Sequence, residues 1–244
     1  MIVVVAVKNV VCDSSTLISL AETCNISCLQ FLRERAPVNF VIPPSVYNEI
    51  ISCPINLPQF EFSAVRLSKI LADGTISLYS PPGLKNRTQK ILRAANNVLR
   101  VDGRPLEILH SGEAECLAVC SEAGAAALAI DEKTTRLLLE DPRKLWEAVS
   151  SEYGGRLSFN ELAAREFRSL ACSVAVIRSS EIIAVAALKG FFAEYGEFED
   201  EAFHSALYAL RRAGCSLPLP EVGEYKRVRL GAQATRAGGL ESRA

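Results

Sequence analysis

The stretch VVVAVKNVVCDSST (residues 3–16) decides the fold, because an apolar run ends there at an aspartate. Val3–Val7 and Val10–Cys12 carry only apolar residues, a pattern typical of a strand buried on both faces of a parallel sheet. Asp13 ends this strand, and the three hydroxyl residues after it favour the N-terminus of a helix through Leu17–Ala21. The stretch therefore predicts a buried strand that leads directly into a helix.

Strands and helices alternate in the rest of the chain as well. Further strands are predicted at Asn39–Ile42, Thr75–Tyr79, Ala126–Ile130 and Val174–Ile177. The later predicted helices are Ser27–Arg35, a helix opened by Pro43, Leu84–Arg100, Glu113–Ala123, Thr134–Ser151, Asn160–Leu170, a helix ending at Leu188, and Ala202–Ala213. This alternation indicates an α/β fold with a mainly parallel sheet.

The composition is that of a globular protein, with 49% hydrophobic and 23% charged residues over 244 positions. This length suits one enlarged domain, expected over residues 1–225. From Arg227 onward Gly, Ala and Arg dominate, so the tail 226–244 is expected to be disordered.

No apolar run approaches the ~20 residues that cross a bilayer, and Met1–Val7 lacks the features of a signal peptide. We therefore expect a cytoplasmic protein without membrane contact.

The charge balance excludes binding of nucleic acid by an overall positive field. Lys and Arg number 27 against 28 Asp and Glu, which gives a net charge of −1. Any contact with RNA must therefore come from a local group of residues.

The eight cysteines do not form a recognisable zinc motif. Cys24/Cys28 and Cys116/Cys120 are four residues apart, whereas zinc sites use closer CxxC pairs or nearby histidines, and the chain has only two histidines. Free buried thiols are the favoured interpretation. Intracellular disulfides remain open if the source is hyperthermophilic.

Acidic residues from separated segments are predicted to meet at one edge of the sheet. Asp13 and Asp131 each end a strand, and Glu49 and Glu115 lie early in helices that begin at the same edge. Crowded carboxylates repel each other unless a cation neutralises them. Mg²⁺ or Mn²⁺ takes oxygen ligands, and such ions support hydrolysis of phosphodiesters. Helix capping is the alternative role for each acid taken alone.

Two pairs of neighbouring acids leave the choice of ligand open. Glu113 and Glu115 are two residues apart and cannot share a helix face, and we favour Glu115. Asp131 is followed by Glu132, and we favour Asp131 because it ends the strand directly.

Four segments together resemble the PIN-domain superfamily, most closely its prokaryotic nucleases with a GEAE-type motif. They are CDSSTLISLA (Cys12–Ala21), VIPPSVYNEII (Val41–Ile51), LHSGEAECLAVC (Leu109–Cys120) and ALAIDEKTTRLL (Ala127–Leu138). The motifs run in order across most of residues 3–138, and their combination is more specific than any one of them. The resemblance implies a Rossmann-like α/β/α sandwich that cleaves single-stranded RNA with divalent metal, in a toxin-like or RNA-processing role.

The same resemblance assigns ligands and partners. It implies that Asp13, Glu49, Glu115 and Asp131 hold one or two Mg²⁺ or Mn²⁺ ions, with Glu113 and Glu132 secondary. The implied partners are single-stranded RNA, an antitoxin protein and a second copy in a homodimer. Two segments are longer than in a minimal member, which implies helical insertions at about 53–105 and 141–172.

Several polar residues are candidates for substrate contact. The basic stripe at the start of the Leu84–Arg100 helix can meet phosphate or can be a solvated face. The hydroxyl residues after Asp13 can bond a ligand carboxylate or a metal-bound water, or can cap their helix. The tail arginines can add non-specific RNA affinity. The candidates for substrate contact are Ser14, Ser15, Thr16, Lys85, Arg87, Lys90, Arg136 and Arg178.

Three other functions compete with that of a nuclease. A PIN-type module that binds RNA or protein without cleavage remains open. An aspartyl-phosphate enzyme or receiver is disfavoured, because Ser15 stands where a second acid is needed and Asn9–Val11 supplies no acid. A dinucleotide-binding enzyme is disfavoured because no GxGxxG follows the first strand.

Overall fold

A five-stranded parallel sheet forms the centre of the fold, which confirms the α/β architecture predicted from the sequence. The computed structural model describes residues 7–171, 173–225 and 227. The strands in this part of the chain are β1 (Lys8–Cys12), β2 (Val38–Ile42), β3 (Ile76–Leu78), β4 (Leu99–Val101), β5 (Arg104–Pro105), β6 (Ala127–Ala129), β7 (Leu157–Phe159) and β8 (Ala175–Ile177).

Helices flank this sheet in a Rossmann-like arrangement. The first six are α1 (Ser14–Glu22), α2 (Ser27–Arg35), α3 (Pro44–Tyr47), α4 (Glu61–Ala72), α5 (Leu84–Ala95) and α6 (Ser111–Ala123). The next six are α7 (Lys133–Glu140), α8 (Pro142–Tyr153), α9 (Glu161–Leu170), α10 (Ser179–Leu188), α11 (Glu199–Arg212) and α12 (Leu219–Tyr225). A π-helix covers Asn48–Ser52, and 3-10 turns cover Pro54–Asn56, Gly154–Arg156 and Ala193–Phe198.

The order of strands in the sheet places a crevice beside Asp13. The order is β3-β2-β1-β6-β8, so the chain leaves β1 in one direction to form β2 and β3 and later fills the other side with β6 and β8. Ligand sites in such sheets form outside the carboxyl ends of the strands where the order reverses. That position lies between β1 and β6, where the Asp13 N–H donates to the Ala129 carbonyl at 2.9 Å.

The two segments expected to be helical insertions are joined by strands. β4 and β7 pair antiparallel, with Leu99 opposite Phe159, and β5 extends them into a second sheet of order β5-β4-β7. The segment at about 53–105 also contains β3, an edge strand of the main sheet. The sequence predicted β3 within the first of these segments but not β4, β5 or β7, because the helical spacing of apolar residues continues through Leu99 into β4.

Helix boundaries differ from the prediction where local chemistry stops a helix. The helix predicted as Leu84–Arg100 ends at Ala95, and the chain turns into β4. The helix predicted as Thr134–Ser151 is two helices, because Asp141 caps a new helix that has a proline in its first position. Glu61–Ala72 is a helix that the sequence did not predict, because Pro54 and Pro58 just before it favour a loop.

Some predictions fall outside the described residues. The first residues of the opening apolar run, Met1–Ala6, are among them, as are Cys172 and the tail apart from Arg227. The seven cysteines within the described part form no disulfide, and five of them are buried while Cys24 and Cys53 are exposed. In the same part of the chain, no helix is long and apolar enough to cross a membrane.

Candidate active site

Four carboxylates from separate segments line one cavity of about 330 Å³ at the carboxyl end of β1. Asp13 joins β1 to α1, Glu49 lies in the π-helix, Glu113 lies in the first turn of α6, and Glu132 precedes α7. The wall is completed by Ser14, Ser15, His110 and Gly112. The convergence predicted for Asp13 and Glu49 is present.

Asp13 is a buried carboxylate held in one orientation. Its side chain is only 3% exposed and caps α1, where Oδ2 accepts bonds from the Ser15 N–H at 3.0 Å and the Ser15 hydroxyl at 2.6 Å. Burial raises the pKa of Asp13, the bonds from Ser15 oppose this rise, and the charge of Glu49 adds to it. The net effect is a raised pKa, so the surroundings of Asp13 disfavour its negative charge.

Glu49 approaches the N-terminus of α6 closely because Gly112 has no side chain. A Cβ built on Gly112 would lie 2.6 Å from Glu49 Oε1, closer than non-bonded atoms approach each other. Glu49 sits in the π-helix that follows α3, and single turns of this kind are frequent at functional sites. The glycine therefore makes room for a carboxylate at the cavity.

Glu113 is fixed between α6 and α7. Its Oε2 accepts a bond from the His110 N–H at 2.7 Å, and Oε1 accepts one from the Thr135 hydroxyl at 2.6 Å. Burial raises the pKa of Glu113, these two bonds oppose the rise, and the charges of Asp13 and Glu132 add to it. Glu132 caps α7 by accepting a bond from the Thr135 N–H at 2.6 Å.

The two acids favoured from the sequence, Glu115 and Asp131, do not line this cavity; their neighbours do. Glu115 Oε2 accepts a bond from the Ser45 N–H at 2.8 Å and so caps α3. Asp131 is 1% exposed, and its two oxygens accept bonds from the Ser179 N–H and hydroxyl, each at 2.7 Å. Both carboxylates bind the starts of other helices, which draws them away from the cavity.

The hydroxyl residues after Asp13 divide between the two aspartates. Ser15 donates to Asp13 and its oxygen accepts the Asp131 N–H at 3.1 Å, so it links the ends of β1 and β6. The Thr16 hydroxyl lies 3.5 Å from Asp131 Oδ1, and Ser14 lines the cavity. Ser15 thus bonds a carboxylate that lines the cavity, whereas Thr16 bonds Asp131, a predicted ligand that does not line it.

The basic residues predicted to contact substrate lie away from this cavity. Arg87 forms an ion pair with Glu122 near the end of α6, about 15 Å from Gly112 at 1.5 Å per residue. Lys85 and Lys90 are exposed on the same helix as Arg87. Among the described residues that line the cavity, none of these three is present. Lys85 and Lys90 belong to the solvated face of α5, and Arg87 forms a contact between α5 and α6.

Arg136 and Arg178 are also occupied elsewhere. Arg136 pairs with Glu140 one turn along α7, at 3.5 Å. Arg178 is 7% exposed and binds Glu181, Glu221 at 2.7 Å and the Ser216 carbonyl at 2.8 Å. Arg178 therefore ties α10 to α12, and its contact with substrate stays a prediction.

The pair of Arg178 and Glu181 predicts a stability that depends on acid. Burial alone would raise the pKa of Glu181, but hydrogen bonds and charge from Arg178 lower it below the ordinary 4.5. A lowered folded-state pKa gives stability that is present above the ordinary value and lost as pH falls through the folded one. We expect Glu181→Gln to be less stable than wild type at neutral pH and to lose less stability on acidification.

Urea unfolding at about pH 7 and about pH 3 measures this difference. Glu166→Gln, on an exposed position of α9, is the control. Equal losses in wild type and Glu181→Gln would contradict the assignment.

His110 and Gly112 line the cavity, although the sequence motifs did not single them out as site residues. The sequence contains a hint of their role, because His110 and Gly112 lie just before the acidic start of a helix. Only the fold shows that Gly112 leaves room for the carboxylate of Glu49. His110 N-caps α6, and its ring Nδ1 lies 3.6 Å from Glu107. The cavity therefore has an imidazole ring beside its carboxylates.

The carboxylates at the cavity are of the type that hydrated divalent cations take as ligands. Within the described residues, no three His, Cys, Asp or Glu side chains lie close enough to hold a metal ion by themselves. Mg²⁺, however, is commonly bound by one or two carboxylates and keeps several waters. Asp13 and Glu49 line the same cavity and carry the oxygen atoms that such an ion takes, and a cation would relieve their mutual repulsion, which adds to the effect of burial on Asp13.

The chain was compared with protein-family models, curated proteins and solved structures, and none of them matches it.

Proposed function

We propose that this protein is a divalent-metal-dependent ribonuclease that hydrolyses single-stranded RNA at the Asp13 cavity. The observation that carries the proposal is the meeting of Asp13, Glu49, Glu113 and Glu132 at the point where the strand order reverses. The resemblance of four segments to the PIN-domain superfamily supports RNA as the substrate.

The chain's own residues divide the work of the proposed reaction. Asp13 and Glu49 would hold Mg²⁺ or Mn²⁺, which supplies activation of water and stabilisation of the leaving oxygen. Ser15 keeps the Asp13 carboxylate turned to the cavity through two hydrogen bonds. Glu113 and Glu132 would orient the attacking water by accepting hydrogen bonds from it, and His110 would donate a hydrogen bond to the leaving oxygen.

The test is cleavage of a mixed single-stranded RNA pool with Mg²⁺, Mn²⁺ or EDTA. We expect cleavage with either metal and none with EDTA. Glu132→Gln is expected to lower the rate about tenfold or more, whereas Glu115→Gln, which alters only the cap of α3, leaves it within about threefold. Folded protein that cleaves no RNA under any metal would overturn the proposal in favour of a binding module.

A second prediction concerns the glycine beneath Glu49. Gly112→Ala places a methyl group against the Glu49 carboxylate, which must move, while alanine favours the helix by about 1 kcal/mol. We expect near-normal thermal stability and cleavage reduced about tenfold or more, since small displacements of catalytic groups are costly. Gly223→Ala is the control, because a Cβ there meets no atom within 4 Å. Equal activity of both variants would show that the position of Glu49 is unimportant.

A further inference from the structure

A second cavity of about 240 Å³, the side cavity, adjoins the acidic cavity, which is the one lined by Asp13, Glu49, Glu113 and Glu132. The two share His110, Glu113 and Glu132, so a molecule bound in one borders the other. At about 30 Å³ per water molecule, the second cavity has room for a small planar ring. It is therefore placed to hold a part of the substrate next to the reacting bond.

The walls of this side cavity are apolar and aromatic. One wall is Leu106 and Ile108, which follow β5, and the other is Val149 and Tyr153 of α8. Tyr153 is half-buried, and an aromatic ring in such a wall is the usual platform on which a nucleobase stacks.

The small sheet positions both walls. The Leu106 N–H donates to the Leu99 carbonyl of β4 at 2.9 Å, and α8 leads through a 3-10 turn into β7, the antiparallel partner of β4. Asn96 further fixes the first wall, because its Oδ1 accepts the Ile108 N–H at 2.9 Å. The segments beyond the core sheet thus form the side cavity.

Most of the polar residues that line the side cavity are glutamates, whose ionised carboxylates only accept hydrogen bonds, and His110 and Thr134 lie beside them. Glu107 and Glu152 join Glu113 and Glu132 in its lining, which holds no Lys or Arg among the described residues. Such a lining repels phosphate and attracts N–H groups. Guanine alone among the four RNA bases carries two adjacent donors, N1–H and N2–H₂, on its Watson–Crick edge. Adenine, cytosine and uracil each place an acceptor beside the single donor group on that edge.

We propose that the side cavity binds a guanine base of the RNA, stacked on Tyr153 with its donor edge towards Glu152. The proposal rests on the proposed ribonuclease function and assigns its base preference. It makes Tyr153 and Glu152 determinants of specificity, while hydrolysis stays with the acidic cavity.

Two measurements test this assignment. The first is calorimetric binding of guanosine, adenosine, cytidine and uridine to the full chain, where we expect guanosine to bind about tenfold tighter than the others. The second is cleavage of four RNA oligonucleotides that differ only in one base. Tyr153→Leu should lower guanosine affinity about tenfold, Tyr153→Phe should retain it, and Glu152→Gln should erase the preference among bases. Glu147→Gln, exposed on the same helix, is the control and should behave as wild type.

The outcomes separate this inference from the ribonuclease proposal. Equal affinity for the four nucleosides would overturn the guanine assignment, even if RNA is cleaved. Tight guanosine binding that survives both Tyr153→Leu and Glu152→Gln would place the base elsewhere and would also overturn it. Guanosine binding that these two variants abolish, in a chain that cleaves no RNA, would support the side cavity and overturn the ribonuclease.

Discussion

Asp13→Asn is expected to lower RNA cleavage about a thousandfold, which is about 4 kcal/mol of lost transition-state stabilisation. The substitution removes the charge that a divalent cation needs, and it leaves an amide oxygen in the place of the carboxylate oxygen. Asparagine caps helices as well as aspartate does, so the bond from the Ser15 N–H persists. The variant should therefore fold normally, and its affinity for Mn²⁺ in titration calorimetry should fall with its activity.

A matched control for this variant exists elsewhere in the chain. Asp73 accepts bonds from the Thr75 N–H at 3.0 Å and the Thr75 hydroxyl at 2.6 Å, the same local pair that Asp13 forms with Ser15. Asp73 does not line the acidic cavity. Asp73→Asn should keep full activity. If Asp13→Asn also kept it, the role of Asp13 would be limited to capping α1.

Asp131→Ala is expected to destabilise the protein by about 3 kcal/mol. The substitution leaves the buried N–H and hydroxyl of Ser179 without their acceptor, and each unsatisfied buried group costs about 1–3 kcal/mol. Ser179→Ala removes only the hydroxyl and should cost about 1 kcal/mol, because the bond from its N–H remains. Urea unfolding of both variants measures the difference.

This prediction separates a positioning role from a catalytic one. Asp131 holds the start of α10, and the residue that follows it, Glu132, faces the cavity. Asp131→Ala protein that remains folded should retain part of the cleavage activity and should bind metal as wild type does. A variant of normal stability that lacks metal binding would instead make Asp131 a ligand, as the sequence had favoured.

The main sheet was predictable because burial on both faces leaves a strong signal. The apolar run before Asp13 predicted β1, and Ala126–Ile130 contains β6. The edge of the sheet at which acids gather followed from the strand ends. The strands β4, β5 and β7 were not predicted, because the helical spacing of apolar residues continues into β4 and because their pairing depends on contacts between distant segments.

The choice between neighbouring acids could not be made from the sequence. Glu113 and Glu115 occupy one helix start, and which of them meets the cavity depends on where the Ser45 N–H lies. Asp131 ends its strand as predicted, yet the N-terminus of α10 offers its carboxylate two donors. These hydrogen-bond partners, Ser45 and Ser179, lie 70 and 48 residues from the acids that they bind, so tertiary packing decides the direction of each carboxylate.

The pairing of β4 with β7 has a consequence for the order of local unfolding. Arg100 and Ser158 face each other across 58 residues of chain, and the closed loop contains α6 and β6. The small sheet joins strands of two or three residues, whereas β1 has five residues and pairs with a strand on each side, so the small sheet has the lower local stability. We expect the small antiparallel sheet to open before the parallel sheet. In amide hydrogen exchange, β4 and β7 should therefore lose protection before β1, and the side cavity should open while the acidic cavity stays formed.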